Sequence, residues 1–179
     1  MSAKTNSSRN AHTGRVFKLN VDNITLSNGV TFDIDVIRHP GASAMVPMPD
    51  EDTVLLIKQY RYAAGAFIWE IPAGTLNSGE SPLECAKREL IEETGYSAGK
   101  MEKLTEIVPV PGYSDERIHI FLATDLKKAS QKLDRDEMLN VHEVKMKAAL
   151  EMIAKGEIID AKTISGLYLA SISSVVLGS

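Results

Sequence analysis

Between Ser81 and Gly95 the chain spells out one helix with both ends marked, and whatever else it forms must be built around that element. Ser81 suits the N-cap, Pro82 the first helical position, Glu84 completes a capping box, and Gly95 stands where a left-handed residue ends a helix. Leu83, Ala86, Leu90 and Thr94 recur at spacings of three and four, while Cys85, Arg88, Glu89, Glu92 and Glu93 take the opposite side. This predicts a packed inner face and an acidic outer one. Glu89 and Glu93 lie one turn apart with Glu92 beside them, and like charges so spaced cost a few tenths of a kcal/mol per pair. Arg88 can pair with Glu92, which leaves Glu89 and Glu93 converging without a cation. A hard divalent ion such as Mg²⁺ takes carboxylate oxygens readily and supplies the missing charge.

Around this helix the apolar pattern is mostly of the β type. Val16–Val21, Ile24–Leu26 and Val30–Ile37 read as three short strands, with a hairpin signal at Ser27-Asn28-Gly29. Ala42–Pro47 and Thr53–Ile57 read as buried strands of a second sheet, followed by Phe67–Ile71, Met101–Val110, Ile118–Ala123 and Leu139–Val144. Lys147–Ala154 and Ala161–Val176 look helical, the latter with Ile164, Leu167, Tyr168, Ile172 and Val175 on one stripe. The expected architecture is α/β, a mixed sheet with helices against it, preceded by a small antiparallel β extension. Residues 1–14, polar and rich in Ser, Asn and Thr, read as a disordered tail without the amphipathic period of a mitochondrial presequence. The extension spans 15–40 and the main domain 41–179.

Composition narrows the function classes. Cys85 is the single cysteine, so neither a disulfide framework nor a thiolate zinc site can be built within the chain, and a reducing cytoplasm fits best. No run approaches ~18 consecutive apolar residues, which argues against a membrane span. A net charge of −4 gives no general attraction to nucleic acid or an anionic membrane, so a nucleotide ligand would be a small one.

The loop Ala73–Glu80 carries two glycines and leads directly into the helix. Gly74, Glu80, Arg88, Glu89, Glu92, Glu93 and Gly95 together match the Nudix box, and the chain resembles the Nudix hydrolases there. Seven specified positions, each with a usage of roughly 7%, give a chance match on the order of 10⁻⁸ per starting point. The likeness extends over roughly Arg15 to Val176: Leu56–Tyr62, Trp69–Gly74, and Pro111 fifteen residues beyond Tyr96 resemble the ADP-ribose pyrophosphatase branch.

That resemblance implies an α/β/α sandwich and hydrolysis of the pyrophosphate bond of ADP-ribose or a related ADP-sugar, to AMP and a sugar phosphate, with Mg²⁺ or Mn²⁺. Another nucleotide sugar, a dinucleoside polyphosphate, or nucleotide binding without cleavage stand as alternatives. By the resemblance, Glu89 and Glu93 are metal ligands with Glu92 a further ligand or water holder, and the Ala73 carbonyl faces a metal. Arg88 orients the set and Glu80 pairs with the helix. Arg61, Glu70 and Pro111 contact substrate, and Phe17 stacks on adenine. A loop glutamate takes the proton of the attacking water, Glu137 being the first choice and Glu116 the second. The branch also implies a homodimer that exchanges the small sheet between subunits. Asp33 and Asp35 depart from the branch, which often has a basic residue in that strand, and would be unfavourable near phosphate unless they point away; Lys58 and Arg38 are the substitutes. Trp69, His39 and His142 read as structural.

Overall fold

The computed structural model describes residues 2–131 and 138–177, and the chain divides into two units. One comprises Met1–Gly41 and Val108–Arg117; the other comprises Ala42–Ile107 and Ile118–Ser179.

The first unit is an antiparallel sheet in the order β1 (Ala3–Thr13), β2 (Lys18–Leu26) and β3 (Thr31–Arg38). Two expectations are corrected here. The two runs expected at Val16–Val21 and Ile24–Leu26 merge into the single strand Lys18–Leu26, with Val16 and Phe17 outside it, and the segment expected as a disordered tail supplies the third. All eleven residues of β1 are exposed, so its composition carries no burial signal. The strand is held by its backbone ladder and by polar side chains across it. Asn6 donates to Asn23 at 2.9 Å and to Thr25 at 2.8 Å, Ser8 donates to Asp22, and Asn10 donates to Asn20 at 3.2 Å. Such cross-strand pairs contribute where no apolar face is available.

Residues 108–117 join this unit through Ile37, whose N–H donates to the Tyr113 carbonyl at 2.8 Å and whose carbonyl accepts from Asp115 at 3.1 Å. Arg38 reinforces the junction by bridging Asp22 and Asp115. Asp33 and Asp35 are exposed.

In the second unit, β4 (Ala42–Pro47) lies in a four-stranded sheet of order β7 (Ala73–Thr75), β4, β9 (Ile118–Lys128), β8 (Tyr96–Ile107). A separate sheet has the order β10 (Leu139–Lys145), β5 (Thr53–Arg61), β6 (Ala66–Glu70). The strands at 42–47 and 53–57, expected in one sheet, therefore belong to two. Ala73–Thr75, expected as loop, pairs antiparallel with Ala42–Ala44.

Every residue of β4 is buried, and strand alternation sends its side chains to two cores. Ala44 and Val46 pack with Val54, Leu56, Ile120 and Leu167. Met45 packs with Phe121, Ala123, Ala86 and Leu90. The second set places α1 (Pro82–Thr94) on one face of the sheet, while α2 (Met146–Ala154) and α3 (Ala161–Leu177) contribute to the core on the other. This is an α/β/α sandwich.

The stripe expected on α3 is displaced. Leu167 is fully buried, but Tyr168 and Ile172 are exposed, and Thr163 and Ala170 complete the buried side. Gly166 explains the shift, because a Cβ there would lie 2.9 Å from Ile71 and 3.0 Å from Val46, so the helix meets the sheet backbone-first at that point. No helix among the described residues is long and apolar enough to cross a membrane.

Candidate active site

Helix α1 begins and ends as its sequence demands. The Ser81 hydroxyl accepts the Glu84 N–H, the Glu84 carboxylate accepts the Ser81 N–H at 2.9 Å, and Gly95 closes the helix with φ 72°. Its acidic side is not a solvated face. Glu93 is 2% exposed, Glu89 is 8% exposed and Cys85 is fully buried, whereas Leu83, expected on the packed side, is exposed. Loop 73–80 covers the carboxylates, a contact that helical periodicity does not reveal.

Arg88 is the hub of this cover. Its Nε and Nη2 donate to the two oxygens of Glu80 at 2.8 and 2.9 Å, and Nη1 donates to Glu89 at 2.5 Å and to Glu92 at 2.9 Å. Nη2 also reaches the Thr75 carbonyl at 3.3 Å. The expectation that Arg88 serves Glu92 and leaves Glu89 without a cation is thus corrected: one guanidinium serves three carboxylates. Hydrogen bonds from Arg88 hold the Glu80 carboxyl at about 2, well below the ordinary range. Burial pushes the neighbouring Cys85 thiol up to about 11, and the Glu89 charge adds to the effect.

Glu93 is tied to the strand instead, its Oε2 accepting the Ala73 N–H at 2.9 Å. Gly74 makes this proximity possible. A Cβ at that position would stand 1.8 Å from Glu89 Oε1, so the loop can lie against the helix only because residue 74 has no side chain.

A second polar cluster lies at the ends of β5 and β6. Arg61 donates through Nε and Nη2 to Glu70 at 2.8 and 2.7 Å, and Glu70 is 1% exposed. Burial alone would raise the Glu70 carboxyl, but Arg61 and Lys162 hold it below its ordinary value. Lys162 Nζ donates to Glu70 at 2.7 Å and to Asp160 at 3.0 Å. Sequence reasoning missed Asp160, Lys162 and Thr163. The available signal was an Asp immediately before the predicted helix, for Asp160 caps α3 by accepting the Thr163 N–H at 2.9 Å.

The second unit therefore contains Arg61, Glu70, Ala73, Arg88, Glu89, Glu92 and Glu93, while Phe17, Pro111 and Glu116 belong to the first. Phe17 is 41% exposed and lines a cleft of about 370 Å³ with Arg15, Lys18, Arg38 and His39. Pro111 lies exposed in the turn after Val110. Glu116 Oε1 is 3.7 Å from His39 Nδ1, but that nitrogen accepts the Gly41 N–H and so offers Glu116 no proton. Glu137 lies outside the described residues. His142 and Trp69 pack edge to face at 4.9 Å.

Among the described residues, no three His, Cys, Asp or Glu side chains converge as ready ligands, because Arg88 stands between the carboxylates. Their chemistry nevertheless fits a hard divalent cation. The donors are carboxylate oxygens, two of the three are buried, and the charge Arg88 now balances is the charge such an ion would balance.

A NUDIX domain matches residues 37–166. A protein named ADP-ribose pyrophosphatase from Bacillus subtilis (strain 168) is 41% identical over 162 residues, which cover 89% of this chain and 88% of that one. A protein named methanol dehydrogenase activator from Bacillus methanolicus is 40% identical over 163 residues, covering 90% and 88%. The fold is shared with a crystal structure of an ADP compounds hydrolase at a TM-score of 0.87 and 23% identity, over 99% of this chain and 97% of that one. The matched region contains the loop and helix that gather Glu80, Arg88, Glu89, Glu92 and Glu93, and the chain belongs to the Nudix family.

Proposed function

We propose that this protein hydrolyses the pyrophosphate bond of ADP-ribose or a related ADP-sugar, giving AMP and a sugar phosphate, with Mg²⁺ or Mn²⁺ as cofactor. The observation that carries the reading is the set of helix carboxylates, Glu89 and Glu92 held by Arg88 and Glu93 held by the Ala73 N–H, together with Arg61 paired to the buried Glu70, in a chain 41% identical to a protein named for that activity. Glu89 and Glu93, with Glu92 and the Ala73 carbonyl, would hold the metal. When bound, a divalent cation offsets the charge of the diphosphate and lowers the pKa of water.

The chain's own residues supply the rest. Arg61, fixed by Glu70, offers a guanidinium to the anionic substrate. Arg88 keeps Glu89 and Glu92 in place, and Glu80 keeps Arg88 in place. Glu137, or Glu116 in its stead, accepts a proton as water adds to phosphorus and the bridging P–O bond breaks. Phe17 stacks on adenine and Pro111 shapes its surroundings. The sheet around residues 15–40 joins two copies into a homodimer, and the enzyme works in the cytoplasm.

A panel of nucleoside diphosphate derivatives incubated with Mg²⁺, with products separated by charge, tests the proposal. ADP-ribose cleaved to AMP ahead of GDP-mannose and dinucleoside polyphosphates is the expected result. Preference for one of those would replace the substrate, and tight nucleotide binding without cleavage would replace catalysis by recognition.

A further inference from the structure

Strand β6 ends on a carboxylate that two cations share. Glu70 takes two hydrogen bonds from Arg61, and its Oε2 also accepts Lys162 Nζ at 2.7 Å. Behind Lys162, Asp160 Oδ2 accepts from Nζ at 3.0 Å, from the Thr163 N–H at 2.9 Å and from the Thr163 hydroxyl at 2.6 Å. The same hydroxyl oxygen accepts the Ile71 N–H at 2.9 Å, and Thr163 is fully buried. Two residues further on, Ala73 donates to Glu93. The start of α3 thus fastens the stretch of chain that runs from Glu70 to the carboxylate helix.

This arrangement uses only one edge of the Arg61 guanidinium. Nε and Nη2 are committed to Glu70, no hydrogen bond engages Nη1 among the described residues, and the side chain is 40% exposed. Charge points the same way. Arg61 faces the charges of Glu70, Glu93 and Asp160, so removing the Lys162 charge leaves Arg61 alone against three carboxylates, and at the two buried ones, Glu70 and Glu93, repulsion of an incoming anion is poorly screened.

We infer that Lys162, backed by Asp160 and Thr163, is a positioning residue for substrate binding: it fixes Glu70, and through Glu70 it sets the open edge of Arg61 toward the diphosphate. The inference rests on the reading of Arg61 as a substrate contact.

Lys162→Met removes the charge and keeps the length. It should raise KM for ADP-ribose about tenfold or more while kcat stays within about twofold, since the interaction lost acts on binding. Calorimetric binding of ADP-ribose in the presence of a chelator should weaken by a similar factor. Lys162→Arg should restore both to within about threefold of the original protein. In the nucleotide-free, metal-free protein, the NMR signal of the Arg61 Nε–H, assigned with Arg61→Lys, should shift and broaden in Lys162→Met and return in Lys162→Arg. An unchanged KM, a fall in kcat alone, an unmoved Arg61 signal, or no rescue by arginine at an unchanged melting temperature would each overturn the inference. Lys162→Gln takes the same measurements if the methionine variant does not fold. Failure of the original protein to cleave ADP-ribose would sink the functional reading alone, because the Arg61 signal still decides whether Lys162 positions that side chain.

Discussion

Arg88 holds together three carboxylates that would otherwise repel one another, and the consequences can be read residue by residue. Replacement of Glu93 by Gln keeps size and an oxygen for the Ala73 N–H but removes a charge needed at the site. Turnover should fall at least about a hundredfold while the melting temperature moves by only about 2–4 °C, measured by saturation kinetics and a thermal scan. Near-normal turnover would show that Glu93 holds no metal.

Glu80 makes a pH prediction. Its carboxyl sits at about 2 in the folded protein against an ordinary 4.5, so pairing with Arg88 favours the folded state above about pH 4.5. That contribution fades as pH falls toward 2, where the folded protein also takes up the proton. In chelator-treated protein, Glu80→Gln should lower the melting temperature at pH 7 and narrow the difference from the original protein between pH 4.5 and 2. A difference constant across that range would mean that Glu80 acts through packing.

At the scale of elements, the loop and helix form one device whose clearance is set by Gly74. Gly74→Ala would drive a methyl group into the Glu89 carboxylate, so the loop must lift or the carboxylate must turn. We expect turnover to fall by at least about tenfold, with far-ultraviolet circular dichroism unchanged because α1 keeps its own caps. Retained activity would mean that the loop tolerates displacement.

How much of this was legible depends on where the determining contact lies. The bounds of α1 were readable because both caps are local, and β4 was readable because burial on both faces leaves a run of small and apolar residues, Ser43 being its one polar member. The cover over Glu89 and Glu93 was not, since a period of 3.6 gives the face of a helix but not what lies on it. Lys162 was hidden by distance, standing 92 residues from the carboxylate it serves. β1 was hidden by composition: a strand held by Asn, Ser and Thr across a polar ladder reads like a coil. The family motif supplied the roles of residues that spacing alone left as an acidic cluster.

For the whole molecule, the first unit carries a three-stranded sheet with Val30 and Phe32 exposed at the turn end of the β2–β3 hairpin and Phe17 exposed at its other end, and a second copy is the proposed partner. Light scattering at micromolar concentration should give about twice the 19.5 kDa chain mass. A monomer would remove the dimer and the role of Phe17 as an aromatic donated across it.

The parallel pairing of β4 with β9 has a further consequence, in time. Ala42 pairs with Ile118, and the floor beneath Ala86 and Leu90 includes Phe121 and Ala123. During synthesis at about 5–20 residues per second, β4 is made roughly 4–15 s before the strand that completes its ladder. Through part of that interval α1 exists with half of its floor missing. The nascent chain must carry an exposed apolar helix face and an open strand edge until residue 123 emerges, and it is in those seconds, rather than in the finished protein, that chaperones and aggregation compete for it.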